Sequence, residues 1–171
     1  IDDLGRVVIP KEIRRTMRIR EGDPLEIYTS SDGEVIFKKY SAIGEMANSA
    51  SQVAEVVTKL ANCPTVVFDR DHVVAVAGVQ KKEFNERRIS HGLEEFLESR
   101  KSYVCSSPED EKVFPVEGID RPAIACTPIL SSGDVTGAVA FLSPSNDATA
   151  NEVQKNLIQA AAQFLGRQIE E

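Results

Sequence analysis

The sequence has few of the features that mark membrane, secreted or metal-binding proteins. It has no uninterrupted apolar run of the roughly 18 residues that a membrane-spanning helix needs, and no charged-then-apolar leader. Its three cysteines, Cys63, Cys105 and Cys126, are an odd number without Cys-x-x-Cys spacing. This pattern favours reduced thiols over a disulfide framework. We therefore expect a cytoplasmic protein without a membrane anchor.

Chemistry-bearing clusters are scarce as well. The two histidines, His72 and His91, are isolated from the cysteines and carboxylates that a zinc site requires. The chain has no Gly-x-x-x-x-Gly-Lys phosphate loop. The carboxylate run Glu109–Glu111 follows Pro108 in a polar segment, which is typical of a solvated loop rather than of a catalytic acid and base. On these grounds we expect no metal, no cofactor and no catalytic residue.

What the sequence does have is an uneven distribution of charge. The whole chain has a net charge of −7, yet residues 5–20 hold six basic residues and one acidic residue. Residues 1–40 contain eight basic and eight acidic residues, whereas residues 41–171 contain twelve basic and nineteen acidic ones. We predict two domains with these bounds, because a strand-like run ends at Tyr40 and Ser41 is suited to cap a helix.

The first domain shows a β-α-β-β pattern. Val7–Ile9 predicts a short strand, and Pro10 is suited to the first position of a helix that runs for two turns to about Arg18. Residues 25–29 and 34–40 alternate in polarity around a turn and predict a hairpin. A unit of this size rarely closes a core alone. Since it lacks cysteine and histidine, we expect it to dimerise.

The predicted helix has one basic side. At 3.6 residues per turn, four basic side chains share the sector opposite Ile13: Lys11, Arg14, Arg15 and Arg18. No series of Glu–Lys pairs neutralises them. Either they only solvate the helix, or a dimer presents two copies of the basic side to the phosphates of a duplex. Physical reasoning on these residues leaves both interpretations open.

These residues resemble a known family of DNA-binding domains. The run DDLGRVVIPKEIRRTMRIREGDPLEIY is similar to the AbrB-type swapped-hairpin domain of bacterial transition-state regulators, over essentially all of residues 1–40. In that family two protomers exchange hairpins to form one β-barrel, and arginines on its surface contact DNA. The resemblance implies DNA contacts by Arg6, Arg14 and Arg15, with Lys11 as a weaker candidate. It also implies a first strand, with another DNA-contacting arginine, before Ile1.

The second domain predicts a sheet flanked by helices. Apolar residues recur every three or four positions from Ile43 to Leu60, as in a coiled-coil seam, or as on one amphipathic helix that lies on its own sheet. From Thr149, the pattern Thr-x-x-Glu fits the capping box of a last helix. The other predicted elements are a helix at 89–101 and strands at 65–69, 72–78, 112–116, 123–130 and 135–143.

This order of elements resembles a GAF domain, most clearly in the run TPILSSGDVTGAVAFLS. An AbrB-type head followed by a GAF domain resembles the stage V sporulation protein T family, regulators of forespore transcription in spore-forming bacteria. The resemblance implies an α+β protein: a swapped-hairpin β-barrel formed by a dimer, then a GAF-like α/β domain with an antiparallel sheet flanked by helices. It further implies tetramers through the GAF helices, and a site where a small-molecule effector, if one exists, would bind.

We therefore predict a DNA-binding transcriptional regulator of sporulation genes that is not an enzyme and whose partner is double-stranded DNA. One alternative is an enzyme, because some GAF domains reduce free methionine sulfoxide with pocket cysteines. Cys105 lies in the loop where such a pocket would be, whereas Cys63 and Cys126 have the surroundings of buried structural thiols. Another alternative is an antitoxin, because related swapped-hairpin heads neutralise toxins; antitoxins usually carry a short disordered tail instead of a packed domain.

Overall fold

A computed structural model describes residues 1–145 and 147–171 of the chain. These residues divide into two compact units, Ile1–Tyr40 and Ser41–Glu171. We call them the N-terminal unit and the C-terminal unit. In the part of the chain that is described, no helix is both long enough and apolar enough to cross a membrane.

The N-terminal unit consists of one short helix and one hairpin. Helix α1 spans Lys11–Met17. Strands β1 (Leu25–Thr29) and β2 (Val35–Lys39) pair antiparallel, with Ile27 opposite Phe37. The alternation of apolar and polar residues on either side of the turn therefore predicted this hairpin correctly.

The segment before α1 differs from the prediction. Val7–Ile9 forms no strand, and Val7 and Val8 are exposed. A strand needs a hydrogen-bonded neighbour, and neither sheet of the described chain includes this segment. A β-branched run alone is not sufficient. Pro10 precedes the first helical residue and occupies the capping position instead of the first position inside α1.

The C-terminal unit is built on a five-stranded antiparallel sheet. Its strands are β3 (Thr65–Asp69), β4 (Val73–Ala77), β5 (Tyr103–Val104), β6 (Ala123–Ser131) and β7 (Asp134–Leu142). They lie in the order β4-β3-β7-β6-β5, and every neighbouring pair is antiparallel. Four of the five predicted strands are confirmed. The predicted strand at 112–116 is not formed; its residues make only isolated bridges from Val113 to Ala123 and from Val116 to Ile89.

Five helices accompany this sheet in the described residues: α2 (Ala42–Glu45), α3 (Ala47–Ala61), α4 (Lys81–Phe84), α5 (His91–Ser99) and α6 (Glu152–Glu170). The helix predicted for the apolar positions from Ile43 to Leu60 is formed as two helices, α2 and α3, with a break at Met46. Ser41 does cap α2, because its hydroxyl accepts a hydrogen bond from the Gly44 amide.

Helix α6 begins later than the sequence pattern predicted. The capping box is formed by Asn151 and Gln154, and not by Thr149 and Glu152. The Asn151 side chain accepts from the Gln154 amide at 2.8 Å, and the Gln154 side chain accepts from the Asn151 amide at 2.9 Å. The pairs Thr149–Glu152 and Asn151–Gln154 both have the spacing of a capping box, and the fold uses the second pair.

Both faces of the sheet are covered. Alternation along β7 directs Val139 and Phe141 to a first core with α3 and α6, and Ala140 and Leu142 to a second core. The second core includes Leu93 of α5 and other side chains of the segment between β4 and β5. The C-terminal unit therefore buries a hydrophobic core on each side of its sheet.

Candidate functional site

Arg6 is held in a turn at the start of the N-terminal unit. The Asp2 carboxylate accepts hydrogen bonds from the Arg6 amide at 2.9 Å and from the Arg6 guanidinium at 2.7 Å. The amide and guanidinium of Arg6 hold the pKa of Asp2 below its usual range. Gly5 allows the turn with φ of +75°. Sequence reasoning missed this acidic partner, which neutralises part of the charge of Arg6.

Helix α1 presents the other predicted DNA-binding residues. Lys11, Arg14 and Arg15 are exposed, and α1 has no buried residue. Arg14 and Arg15 lie in its last turn, where a positive charge complements the helix dipole. The basic side of α1 is therefore accessible to a polyanion on the described chain.

The C-terminal end of α1 closes on a left-handed residue that is not glycine. Arg18 follows the helix with φ of 56° and ψ of 42°, a left-handed conformation in which glycine is favoured. The amides of Arg18 and Ile19 donate to the carbonyls of Arg15 and Arg14 at 3.2 and 2.8 Å. The Lys39 ammonium, from β2, donates to the Arg18 carbonyl at 2.9 Å.

The N-terminal unit exposes apolar as well as basic side chains. None of residues 1–40 is buried. Ile13 and Met17 of α1 and Ile27 and Ile36 of the hairpin are all exposed. The described unit thus combines an exposed basic side with apolar side chains that are in contact with water unless a partner covers them.

A second apolar surface lies on the C-terminal unit, where α3 and α6 pack side by side. The Thr58 hydroxyl of α3 donates a hydrogen bond to the Thr65 hydroxyl of β3, and Thr58 also lies close to Gly78, which follows β4. The flank of α3 on the other side of the helix is therefore directed towards α6. The Gln159 side-chain amide of α6 donates a hydrogen bond to the Ser102 hydroxyl, which precedes β5. The flank of α6 on the other side of the helix is therefore directed towards α3. The exposed apolar side chains on this side of the two helices, Val56 57%, Leu60 62%, Val153 57% and Phe164 49%, make up what we call the outer helix face.

The apolar positions from Ile43 to Leu60, which resemble a coiled-coil seam, are thus only partly buried inside the C-terminal unit. Ile43, Ala50 and Val57 are buried in the first core. Val53 is half-buried against that core, whereas Leu60 faces outward. The amphipathic-helix interpretation describes the inner positions, and the outer helix face remains uncovered on the described chain.

The cysteines have the environment of structural residues. All three are free and buried. Burial raises the pKa of Cys63 to about 11 and that of Cys126 to about 12. A thiol with so high a pKa is scarcely ionised at neutral pH, and the thiolate is the nucleophile. Cys105 donates weakly to the carbonyls of Ser107 and Ala148. Among the described residues, no cluster of His, Cys, Asp or Glu could hold a metal ion.

An open cleft of about 600 Å³ lies beside the second core. Phe96 of α5, Tyr103 of β5 and Phe114 form apolar parts of its wall, and the Tyr103 hydroxyl donates to the Glu111 carbonyl at 2.9 Å. The neighbouring sheet face is filled by the protein's own side chains, including Phe68 and Leu142. Any small molecule in this region would therefore bind at the edge of the sheet.

Two known families match the two parts of the chain. The family described as "Stage V sporulation protein T C-terminal, transcription factor" matches residues 45–170. The family described as "Antidote-toxin recognition MazE, bacterial antitoxin" matches residues 1–44.

Two named relatives resemble the chain over different lengths. The chain is 45% identical over 173 aligned positions to stage V sporulation protein T of Bacillus subtilis, covering 100% of this chain and 95% of that protein. It is 60% identical over 40 residues to the transition state regulatory protein AbrB of the same organism, covering 23% of this chain and 41% of AbrB.

Solved structures identify the fold of the larger part. The GAF domain of a phosphoenolpyruvate-protein phosphotransferase from Coxiella burnetii has a TM-score of 0.54 and 17% identity, covering 75% of this chain and 88% of its own. A free methionine-R-sulfoxide reductase from Thermoplasma acidophilum has a TM-score of 0.52 and 12% identity, covering 75% of this chain and 95% of its own. At such identities the likeness concerns the fold alone. With an AbrB-like N-terminal part and a GAF fold behind it, the chain belongs to the stage V sporulation protein T family of transcription factors.

Proposed function

We propose that this sporulation transcription regulator binds double-stranded DNA through Arg6, Lys11, Arg14 and Arg15. The observation that carries the proposal is the position of these residues. All four are exposed on the one unit of the chain that is locally basic. Such a surface attracts phosphates, whereas the C-terminal unit, with twelve basic and nineteen acidic residues, repels them.

The N-terminal unit acts as a dimer in this proposal. Its lack of any buried residue supports this, because forty residues with exposed apolar side chains need a second chain to form a core. An exchange of hairpins between two copies would cover these side chains and give Val7–Ile9 a strand partner. The dimer would then present two copies of the basic side to one duplex.

Arg14→Ala and Arg15→Ala test the DNA-binding surface. Each variant should weaken binding to a duplex of about 30 base pairs, measured by fluorescence anisotropy at fixed salt, because each dimer loses two phosphate contacts. Lys82→Ala, an exposed lysine of α4, is the matched control and should bind as the unaltered protein does. Light scattering should show the same oligomer for all three. Unaltered affinity in both arginine variants would refute the proposed surface.

The C-terminal unit assembles two dimers into a tetramer in this proposal. Support comes from the outer helix face, because four large apolar side chains about half exposed or more are typical of an interface. The surface lies on one side of the unit and can match a second copy of itself, which gives a closed assembly. The residues concerned are Val56, Leu60, Val153 and Phe164.

The chain acts as a regulator and not as an enzyme in this proposal, although its fold resembles that of a methionine sulfoxide reductase. The burial of Cys63 and Cys126 and their raised pKa values support this. A variant with all three cysteines replaced by alanine should fold and bind DNA. Turnover of free methionine sulfoxide that disappears in Cys105→Ala would show instead that the chain is an enzyme.

The antitoxin alternative is less well supported. The N-terminal match to the MazE antitoxin family covers residues 1–44 only. The 60% identity to AbrB extends over 40 residues. The packed C-terminal unit, with a core on both faces of its sheet, differs from a disordered toxin-binding tail.

A DNA-bound regulator of this kind would act in the cytoplasm.

A small-molecule effector, if the regulator has one, would bind in the cleft between α5, β5 and residues 111–114. Its volume and aromatic walls suit a compact ligand. A panel of amino acids, nucleotides and organic acids can be screened by thermal shift. A ligand of this cleft should stabilise the unaltered protein and not Ser99→Trp, whose indole would occupy the cleft. A ligand that stabilises both binds elsewhere.

A further inference from the structure

The arginines of α1 depend on how that helix ends. Arg14 and Arg15 lie in the last turn, and their own carbonyls accept the hydrogen bonds that close the helix. Those bonds come from the amides of Arg18 and Ile19, and the Ile19 bond to the Arg14 carbonyl forms only while Arg18 keeps its left-handed backbone. The direction of the two arginine side chains is therefore coupled to the conformation of Arg18.

Arg18 is poorly suited to this conformation. A residue with a Cβ atom disfavours a φ of 56°, whereas glycine adopts it freely. Helix α1 has seven residues, and a helix of that length is not stable by itself. A contact from outside the helix would stabilise its end, and the structure shows such a contact.

That contact comes from Lys39, 21 positions further along the chain. Its ammonium donates to the Arg18 carbonyl at 2.9 Å in a partly buried position. A hydrogen bond from a charged donor is stronger than one between neutral groups. A cation at the C-terminal end of a helix also complements the helix dipole. Lys39 is half-buried, whereas its neighbour Lys38 is exposed.

We propose that Lys39 is a positioning residue for DNA binding, which holds the end of α1 so that Arg14 and Arg15 face the duplex. The inference rests on the DNA-binding surface proposed above. Lys39 acts through the Arg18 carbonyl and not by touching DNA. Its loss should leave the charge of the basic side intact but allow the last turn of α1 to open.

Lys39→Met removes the ammonium and keeps most of the side-chain length. Its affinity for the duplex should fall roughly tenfold, as expected for the loss of a charge-assisted hydrogen bond. The slope of log affinity against log salt concentration should stay unchanged, because no phosphate contact is lost. Lys38→Met removes the same charge from an exposed neighbour and is the matched control, for which we expect less than a twofold effect.

A double-mutant cycle tests the route through Arg18. In an Arg18→Gly background the left-handed conformation needs no support, so Lys39→Met should cost about twofold or less in affinity. Affinities are measured well below the thermal transition, on variants with unaltered oligomer size. A residue that only stabilises the fold would shift the transition temperature without changing affinity under these conditions.

The outcomes separate this inference from the proposed function. If Arg14→Ala and Arg15→Ala bind DNA normally, the DNA-binding surface itself is wrong. If those variants are impaired and Lys39→Met is not, only the role of Lys39 is wrong. A smaller salt slope in Lys39→Met would mean a direct DNA contact, and the same tenfold loss in both backgrounds would exclude a route through Arg18. If Lys39→Met fails to fold and Arg18→Gly does not restore folding, Lys39 supports the whole unit and the inference is also wrong.

Discussion

The two units of the chain meet the requirement for a hydrophobic core in opposite ways. The C-terminal unit buries a cluster on each face of its sheet, with Phe68 and Phe141 fully enclosed. The N-terminal unit buries none of its residues. In the proposed dimer this unit would obtain its core from a second chain, so its folding and its DNA binding would depend on assembly. The other unit can fold first and assemble afterwards.

Charge follows the same division. The N-terminal unit is neutral as a whole, with an excess of five positive charges in residues 5–20, and the C-terminal unit carries the full net charge of −7. The proposed contacts of the first unit are therefore mainly ionic, whereas those of the outer helix face are apolar. Ionic strength and apolar substitutions should affect the two units differently.

Salt should give the largest difference between the units. If each dimer neutralises about 6–8 phosphates, DNA affinity should fall by about 10³–10⁴-fold between 50 and 200 mM salt. The tetramer should persist over the same range, because its proposed interface is apolar. Anisotropy titrations and light scattering at matched salt concentrations measure both quantities. Salt-independent DNA affinity, or a tetramer lost along with DNA binding, would contradict the division.

A core substitution in the C-terminal unit should have the next largest effect. Phe68 is fully buried, so Phe68→Ala should lower the free energy of unfolding by about 3–5 kcal/mol, measured by urea denaturation. Leu130→Ala changes a side chain that is 45% exposed and should cost less than about 1 kcal/mol. Equal effects of the two variants would mean that the second core contributes little.

A charge on the outer helix face should separate assembly from folding. Leu60→Asp places an unpaired carboxylate in the proposed interface and should raise the dimer–tetramer dissociation constant by about 30-fold or more. The circular dichroism spectrum should not change, because Leu60 is 62% exposed in the single chain. Lys59→Asp, its neighbour on the exposed side of α3, is the control. A folded tetramer in Leu60→Asp would disprove this interface.

A rise from about pH 8 to about pH 9.5 should produce the smallest effect, a loss of about 1 kcal/mol that is confined to the C-terminal unit. Burial raises the pKa of Cys126 to about 12, whereas an unfolded thiol ionises near pH 8.5. The thiol therefore contributes stability that is complete below the unfolded pKa and is lost as pH rises towards 12. The loss should approach about 1.4 kcal/mol per pH unit above pH 9, measured by denaturation. Cys126→Ala should show a shallower decline than the unaltered protein, and identical declines would contradict the expectation.

The sequence predicted those elements whose signals are local. The hairpin of β6 and β7 follows from two apolar runs around Ser-Ser-Gly-Asp, and Gly133 there has φ of +84° as the turn requires. The hairpin of β1 and β2 and the helices α1 and α5 follow from the same kind of pattern. Periodicity also identified the buried positions of α3, among them Ala50 and Val57.

Features that depend on distant or competing partners could not be predicted in this way. Val7–Ile9 has the composition of a strand but pairs with no strand among the described residues. The start of α6 required a choice between two capping motifs two residues apart. The hydrogen bond from Lys39 to Arg18 joins residues that are 21 positions apart and belong to no common sequence motif. The DNA-binding roles of Arg6, Lys11, Arg14 and Arg15 stay predictions.

The arrangement of α2, α3 and α6 has a consequence for modularity. The first helices of the C-terminal unit and its last helix are neighbours, and a buried hydrogen bond from the Gln154 amide group to the Ala61 carbonyl joins the two long helices. The chain therefore enters and leaves this unit on the same side of the sheet, as in domains that tolerate circular permutation. Such a unit could be fused behind a different DNA-binding domain, because a junction before α2 interrupts no strand of its sheet.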